Sequence, residues 1–348
     1  MVKWLVTKEP KYTEKWNEFI LSNESGSFLQ TMDRVKSYEQ YGFDWELIIC
    51  VDSEDNILIG SVNIIVKFLF LKVYICSYGP TYRDIDLADA FVEKFVSRAK
   101  EVNACVSQIA LPANLSFLAK KEGRKGKVFT KVPSIESYNL IALKDEHDEQ
   151  LAPERIIESF SKKARRDVRA SYRKGLTVKL AETENELKQA YSCFEDNAGK
   201  KGYSVRSWEE MSTALISMSK HGRAHLLTAW YNDELQGAIL LERSSKSLHY
   251  TMGGVHRHTP DLNTGYFLQM EGIRLAGEKN CSYYDISCGG PPAVEKFKLS
   301  FNPIFTDVGE TIHFIHNSFI FGMYNYLSKY LGSYFVQKLK QLKIKLSK

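Results

Sequence analysis

Two parts of the chain spell out the same order of elements. In the first, a turn at Ser53-Glu54-Asp55-Asn56 leads into apolar, β-branched runs at Ile57–Val66 and Phe68–Ser77. Gly79-Pro80, a helical pattern over Asp86–Val102 and a strand pattern at Ala104–Leu111 follow. In the second, a turn at Asn232-Asp233-Glu234 leads into runs at Gln236–Glu242 and Ser247–Met252. Gly253-Gly254, a helical pattern over Thr264–Lys279 and a strand pattern at Ser282–Ser287 come next. Alternation and β-branched content mark the strands, and glycine breaks mark the turns. Asn56 to Gln108 and Asp233 to Asp285 span equal lengths, as a duplicated module requires. A chain of 348 residues has room for two such cores. The apolar stretch Ser61–Cys76 is interrupted by Lys67 and Lys72. It is shorter than the roughly 20 residues of a membrane span, so it reads as a hairpin.

Each half also opens with a helix pair. Trp16, Phe19 and Ile20 precede Gly26–Thr31, with Val35, Tyr38 and Tyr41 after it. Leu187, Tyr191 and Phe194 precede Gly199–Tyr203, with Trp208, Met211 and Leu215 after it. Two helices, an antiparallel hairpin, a glycine break, a helix and a strand resemble a GNAT-type acyltransferase module. The expected fold is α/β (α+β): two tandem GNAT-like domains with mixed, largely antiparallel sheets flanked by helices, and a cleft between them. The expected domains are residues 1–150 and 151–312. Residues 313–348 are read as a C-terminal amphipathic, basic helical segment.

The second domain is expected to open with one helix over 153–175, from Pro153 in its first turn to Gly175 at its end. Ile157, Phe160, Ala164 and Val168 fall on one face, and Arg165, Arg169 and Arg173 form a stripe flanked by Lys162 and Arg166. Either this is a solvated face on a packed connector, or it meets a phosphate backbone or diphosphate. Near the end, the strand Tyr283–Ile286 runs into Ser-Cys-Gly-Gly-Pro-Pro, and Lys298 then stands between Phe297 and Phe301. A cation beside a strand terminus can face a bound anion or a developing oxyanion. The alternative is a surface lysine whose stem shields the two rings.

Several chemistries find no footing. No G-x-S-x-G occurs, and the six cysteines are scattered without a C-x-x-C pair, as reduced buried thiols are. His256 and His258, and His313 and His316, are the closest histidine pairs. No cysteine or carboxylate completes a metal set at a familiar spacing, so no metal is expected. Asn263-Thr264-Gly265 is not the glycine-rich turn that cradles a coenzyme pyrophosphate, and no cofactor is expected. The N-terminus lacks an apolar stretch long enough for a signal peptide.

Four segments in order resemble the Fem family, the aminoacyl-tRNA-dependent transferases that build peptidoglycan cross-bridges. They are Ser27-Phe28-Leu29-Gln30-Thr31 with Lys36; Lys162-x-x-Arg165 with Arg169 and Gly175; Tyr266-Phe267-Leu268-Gln269 running to Tyr284-Asp285; and Phe297-Lys298-x-x-Phe301. The resemblance implies transfer of an aminoacyl group from aminoacyl-tRNA to an amine of a peptidoglycan precursor, UDP-linked or lipid-linked. It implies Lys298 as the catalytic lysine, and Lys36, Lys200, Tyr250 and Phe297 as substrate-binding residues. It places tRNA or phosphate on Lys162, Arg165, Arg166 and Arg169. The chain departs from the family at Ala110-Leu111-Pro112, where an acidic residue often precedes the proline, and at Tyr78-Gly79-Pro80, which replaces an Arg-Gly-Pro loop. These departures keep two other classes in view: an acyl-CoA-dependent N-acyltransferase acting on an amino sugar or peptide, and a non-catalytic RNA- or membrane-binding protein. The apolar stripe Phe319, Met323, Tyr326, Leu327, Tyr330, Phe335, Leu339 and Leu342, with lysines crowding the end, is either a packed helix or an interfacial one on anionic lipid. The expected location is cytoplasmic, peripheral at the inner membrane face.

Overall fold

A computed structural model describes residues 2–68, 71–120, 123–128, 132–256 and 261–331. Among these residues the strands form two sheets. The first runs in the order β1 (Lys3–Thr7), β2 (Asp44–Val51), β3 (Ile57–Phe68), β4 (Leu71–Cys76), β6 (Val106–Pro112), β15 (Gly309–Ile315) and β7 (Arg124–Lys125), with β5 (Thr81–Tyr82) on β3. The second runs β14 (Ile304–Asp307), β8 (Ser137–Ala142), β13 (Tyr283–Asp285), β12 (Ser247–Val255), β11 (Glu234–Arg243), β10 (Ala224–Tyr231) and β9 (Thr177–Leu180). The helices are α1 (Pro10–Ser22), α2 (Met32–Lys36), α3 (Ala88–Glu101), α4 (Pro153–Ser159), α5 (Lys162–Arg173), α6 (Glu184–Lys201), α7 (Trp208–Lys220), α8 (Thr264–Glu278), α9 (Pro292–Leu299) and α10 (Ser318–Leu331).

The duplicated plan is visible in the pairings. In each half a hairpin is antiparallel, a helix crosses over, and the next strand pairs in parallel with the hairpin's second strand: β4 with β6, β12 with β13. A parallel pair needs such a crossover, and the α3 and α8 patterns supply it. Both sheets carry helices on both faces. In β2, Leu47 and Ile49 pack with Trp16 and Ile20 of α1, while Ile48 and Cys50 pack with Phe91 and Phe95 of α3. In the second domain Leu226 and Leu240 meet α6 and α7, while Leu227, Ile239 and Leu241 meet α5 and α8. Strands buried on both sides read as continuous apolar runs rather than alternating ones. Thr183 with Glu186 and Ser207 with Glu210 form capping boxes that start α6 and α7.

The expected boundaries need correction. Strand β8, inside the expected 1–150 domain, pairs with β13 and β14 of the second sheet. Strand β15, straddling the expected limit at 312, pairs with β6 and β7 of the first. The second sheet is therefore built from the continuous run β8–β14, and only β15 crosses back to the first. Residues 313–315 belong to that strand rather than to the C-terminal helix, and residues 332–348 lie outside the described chain. The single helix over 153–175 is in fact two. Ser161 is extended, its hydroxyl accepts from the Ala164 N–H at 3.2 Å, and its own N–H donates to the Ser300 carbonyl at 3.0 Å. The break lets the chain after α9 dock there, and the apolar face still forms, because Phe160 turns edge-on to Phe301 at 5.0 Å.

Long-range polar pairs join the halves. Arg34 of α2 grips both oxygens of the buried Glu242 at 2.8 and 2.6 Å. Asp33 accepts from Arg223 at 2.7 Å and from Ser217 at 2.7 Å. Arg206 donates to Tyr41 at 3.0 Å and to the Ser37 hydroxyl at 2.8 Å. Removing one partner of a buried pair strands a charge at a cost of roughly 3–5 kcal/mol, whereas replacing both by apolar side chains is close to neutral. Glu242→Ala should therefore lower the calorimetric melting midpoint clearly more than the double replacement of Arg34 and Glu242 by methionine and leucine. Equal midpoints would show that the pair carries no buried charge.

Candidate active site

Strand β13 ends at Asp285, and a turn through Ser287, Gly289 and Gly290 follows, with φ of 63°, 66° and 120°. Glycine takes such angles without steric cost, so the turn can double back tightly before Pro292 opens α9. That geometry swings Lys298, on the last turn of α9, back over the strand end. Its side chain is buried. The ammonium donates to the Ser287 hydroxyl at 2.6 Å and to the Gly289 carbonyl at 3.0 Å, with the Cys288 carbonyl at 3.5 Å. It stands 5.8 Å from the centre of the Tyr250 ring. Burial pushes the ammonium below its ordinary 10.5, against the pull of Asp285, Cys288 and Glu295. The surface-lysine alternative is thereby set aside.

Phe297 points to the other side of α9. Its ring meets Tyr266 edge-on at 4.9 Å and Phe301 at 5.4 Å. Lys163 of α5 donates to the Tyr266 hydroxyl at 3.1 Å and lies 4.9 Å over its ring. The basic helix and the lysine helix thus flank one aromatic cluster. On α5, Lys162, Arg165, Arg166, Arg169 and Arg173 line a shallow groove of about 510 Å³. Asp167 is occupied by Lys163 and Arg166, which hold its carboxyl below the usual range despite burial.

Of the residues expected at the site, the structure brings Lys298 and Tyr250 together; Phe297 meets Tyr266 and Phe301 instead, a cluster that α5 reaches through Lys163. Lys36 and Lys200 do not join that cluster. Both are exposed, on the last turns of α2 and α6, and Lys36 lies 5.6 Å over the Trp45 ring. Ser37, next to Lys36, is gripped across the domains by Arg206, from the segment after α6. Sequence reasoning missed Ser287 and Asn139 around Lys298, and Arg206 at the joint. Asn139 comes from strand β8. Its N–H donates to Asp285 at 3.0 Å and its side-chain amide to the Ser287 carbonyl at 3.1 Å. Nothing local in the sequence links it to a turn so far downstream. His258 lies outside the described residues, and no group of three metal-ligating side chains occurs among those described.

A family model described as an acetyltransferase (GNAT) domain matches residues 159–299, from the α4–α5 junction to the end of α9. No curated protein matches the chain. Among solved structures, the crystal structure of FemX superposes with a TM-score of 0.75 at 13% identity, covering 92% of this chain and 99% of that one. L-PGS from Bacillus licheniformis superposes with a TM-score of 0.56 at 12% identity, over 89% of this chain and 92% of that one. A tandem GNAT protein from the clavulanic acid biosynthesis pathway gives 0.52 at 10% identity, over 90% of this chain and 98% of that one. Domain match and fold together show two GNAT-type modules in tandem. The likeness to FemX runs along nearly the whole chain and bears out the fold that the Fem-like resemblance implies.

The lowered Lys298 value carries a sign. Below it, the buried ammonium costs the fold its full amount. As pH rises through it toward 10.5, the folded lysine is neutral while the unfolded one still holds a proton, so stability grows. In melts from neutral to strongly alkaline pH, the wild type should gain on Lys298→Met as pH rises. A constant difference would contradict the depressed value.

Proposed function

We propose that the chain moves an aminoacyl group from aminoacyl-tRNA to an amine of a peptidoglycan precursor, UDP-linked or lipid-linked, forming an amide. The observation that carries this reading is the buried Lys298 ammonium, held by oxygen acceptors at a strand end, with a groove of cations across one aromatic cluster from it. The amine nitrogen attacks the ester carbonyl, the carbon–oxygen bond to the ribose breaks, and the amine's proton ends on the departing oxygen. An amine brings its own reactivity, so no protein nucleophile is needed. Burial pushes all six cysteine thiols up, which disfavours a covalent thioester route. Lys298 serves the developing oxyanion. Its contact to the Cys288 carbonyl, at 3.5 Å, is the longest of its three, and that N–H is the one an incoming oxygen takes over. The α5 groove meets phosphates of the tRNA. Lys36 and Lys200 meet the precursor's diphosphate.

The acetyltransferase match favours a second reading, with an acyl-CoA as donor. Against it, Asn263 starts α8 with no glycine-rich turn, and the open side of Gly265 faces the Phe297 ring at about 3.5 Å. One assay addresses both readings: charged tRNA and a muramyl-pentapeptide nucleotide, with product read by mass spectrometry. The wild type should form the aminoacylated product, and acetyl-CoA in place of the tRNA should give none. Lys298→Ala should abolish transfer, and Arg165→Ala with Arg169→Ala should raise KM for the tRNA while sparing kcat. Full activity of Lys298→Ala refutes its role.

Among the described residues no helix is long and apolar enough to cross a membrane. Helix α10 nevertheless leaves Phe319 77% and Tyr326 65% exposed beside the sequence's lysine-rich end. We take this face to rest on anionic lipid, where a lipid-linked acceptor would lie. Replacing both aromatics by serine should reduce sedimentation with phosphatidylglycerol vesicles, and unchanged pelleting rejects the idea.

A further inference from the structure

Sheet register sets three polar residues of the second domain in one row. Glu242 of β11 lies opposite His249 of β12, and His249 lies beside Asp285 of β13. In-register neighbours project from the same face. All three are buried, and each has a different task. Glu242 receives Arg34 from the first half. His249 stacks on Phe28, also from the first half, with ring centres 4.9 Å apart, and its Nδ1 stands 3.1 Å from an oxygen of Asp285. The other oxygen of Asp285 accepts from the N–H of Ser287 at 2.9 Å and of Asn139 at 3.0 Å.

Ser287 is where the row reaches the site. It is a non-glycine residue at φ 63°, a conformation that L-residues avoid, so its neighbours must hold it there. Asp285 takes its N–H and Asn139 donates to its carbonyl. In that pose its hydroxyl is the shortest partner of the Lys298 ammonium, at 2.6 Å. We propose that Asp285 is a positioning residue for Lys298: it locks the left-handed Ser287, and Ser287 aims the ammonium. The row behind it ties that aim to the seating of the first domain through Phe28 and Arg34. The charged and titratable groups facing Lys298 are Asp285 from β13, Cys288 from the turn, Glu295 from α9 and Tyr250 from β12.

The proposal rests on the reading of Lys298 as the cation at the reacting carbonyl, and the test separates the two. Ser287→Gly keeps the backbone conformation and removes the hydroxyl. Asp285→Asn keeps an acceptor oxygen and removes the charge. Each is measured in the transfer assay beside Lys298→Ala. Each is also titrated by labelling Lys298 with acetic anhydride as a function of pH, read by mass spectrometry. Both variants should lose about tenfold or more in kcat, equivalent to roughly 1.4 kcal/mol, with KM little changed. In both, the labelling curve of Lys298 should move to lower pH, because an acceptor or an anion that favours the ammonium is gone. A wild-type kcat and an unmoved labelling curve in both variants, with Lys298→Ala inactive, overturns the positioning role. If Lys298→Ala stays active, the functional reading falls, and the labelling curve alone decides the positioning. Should Asp285→Asn fail to fold by thermal melting, Ser287→Gly carries the test.

Discussion

The return of strand β15 to the first sheet is the constraint on which the rest of the molecule depends. Each GNAT-type module ends at a parallel pair, β4 with β6 or β12 with β13, whose last strand would otherwise be an open edge. An unpaired edge exposes a row of backbone donors and acceptors. Here β15 returns from beyond the second sheet's strands to cover β6, and β8, the first strand of the continuous run β8–β14, covers β13. The first sheet is therefore completed by polypeptide that follows the second. The edge that β8 covers is the one that ends at Asp285, and its Asn139 is a structural wall of the Lys298 turn.

Around that turn, burial and hydrogen bonding oppose each other. A lysine ammonium has three donors and no acceptor, so taking it out of water is tolerable only where oxygen atoms converge on it. The positive-φ turn supplies them from Ser287 and Gly289, with Cys288 further off. The result is a cation less strongly protonated than in water yet fixed in direction, as the proposed role at an oxyanion requires. The cations of α5 are placed in the opposite way. They stay largely solvent-facing, where repulsion among them is screened.

Much of this was open to sequence reasoning, for physical reasons that differ by level. Element types were legible because strands buried on both faces are rich in apolar, β-branched residues, as in Ile57–Val66, and because α6 and α7 begin with capping boxes. The break at Ser161 was not legible. No glycine or proline marks it, and what stops the helix is the Ser300 carbonyl, supplied by the loop after α9. Lys298 stood out because it follows a Gly/Pro turn between two aromatic residues. Lys36 and Lys200 carry only a charge each, and the fold leaves both exposed at the surface.

What the sequence alone determined is the repeated module, its element order, and the local chemistry of the lysine segment, all of which depend on neighbours a few residues apart. What only the tertiary structure decided is which half closes which sheet and what surrounds Lys298. It also decided that Glu242, His249 and Asp285 stand in one row. Those depend on strand register and on contacts between residues as distant as Arg34 and Glu242, or Asn139 and Asp285. No spacing in the chain encodes such contacts, because they exist only once two separately legible modules have packed together.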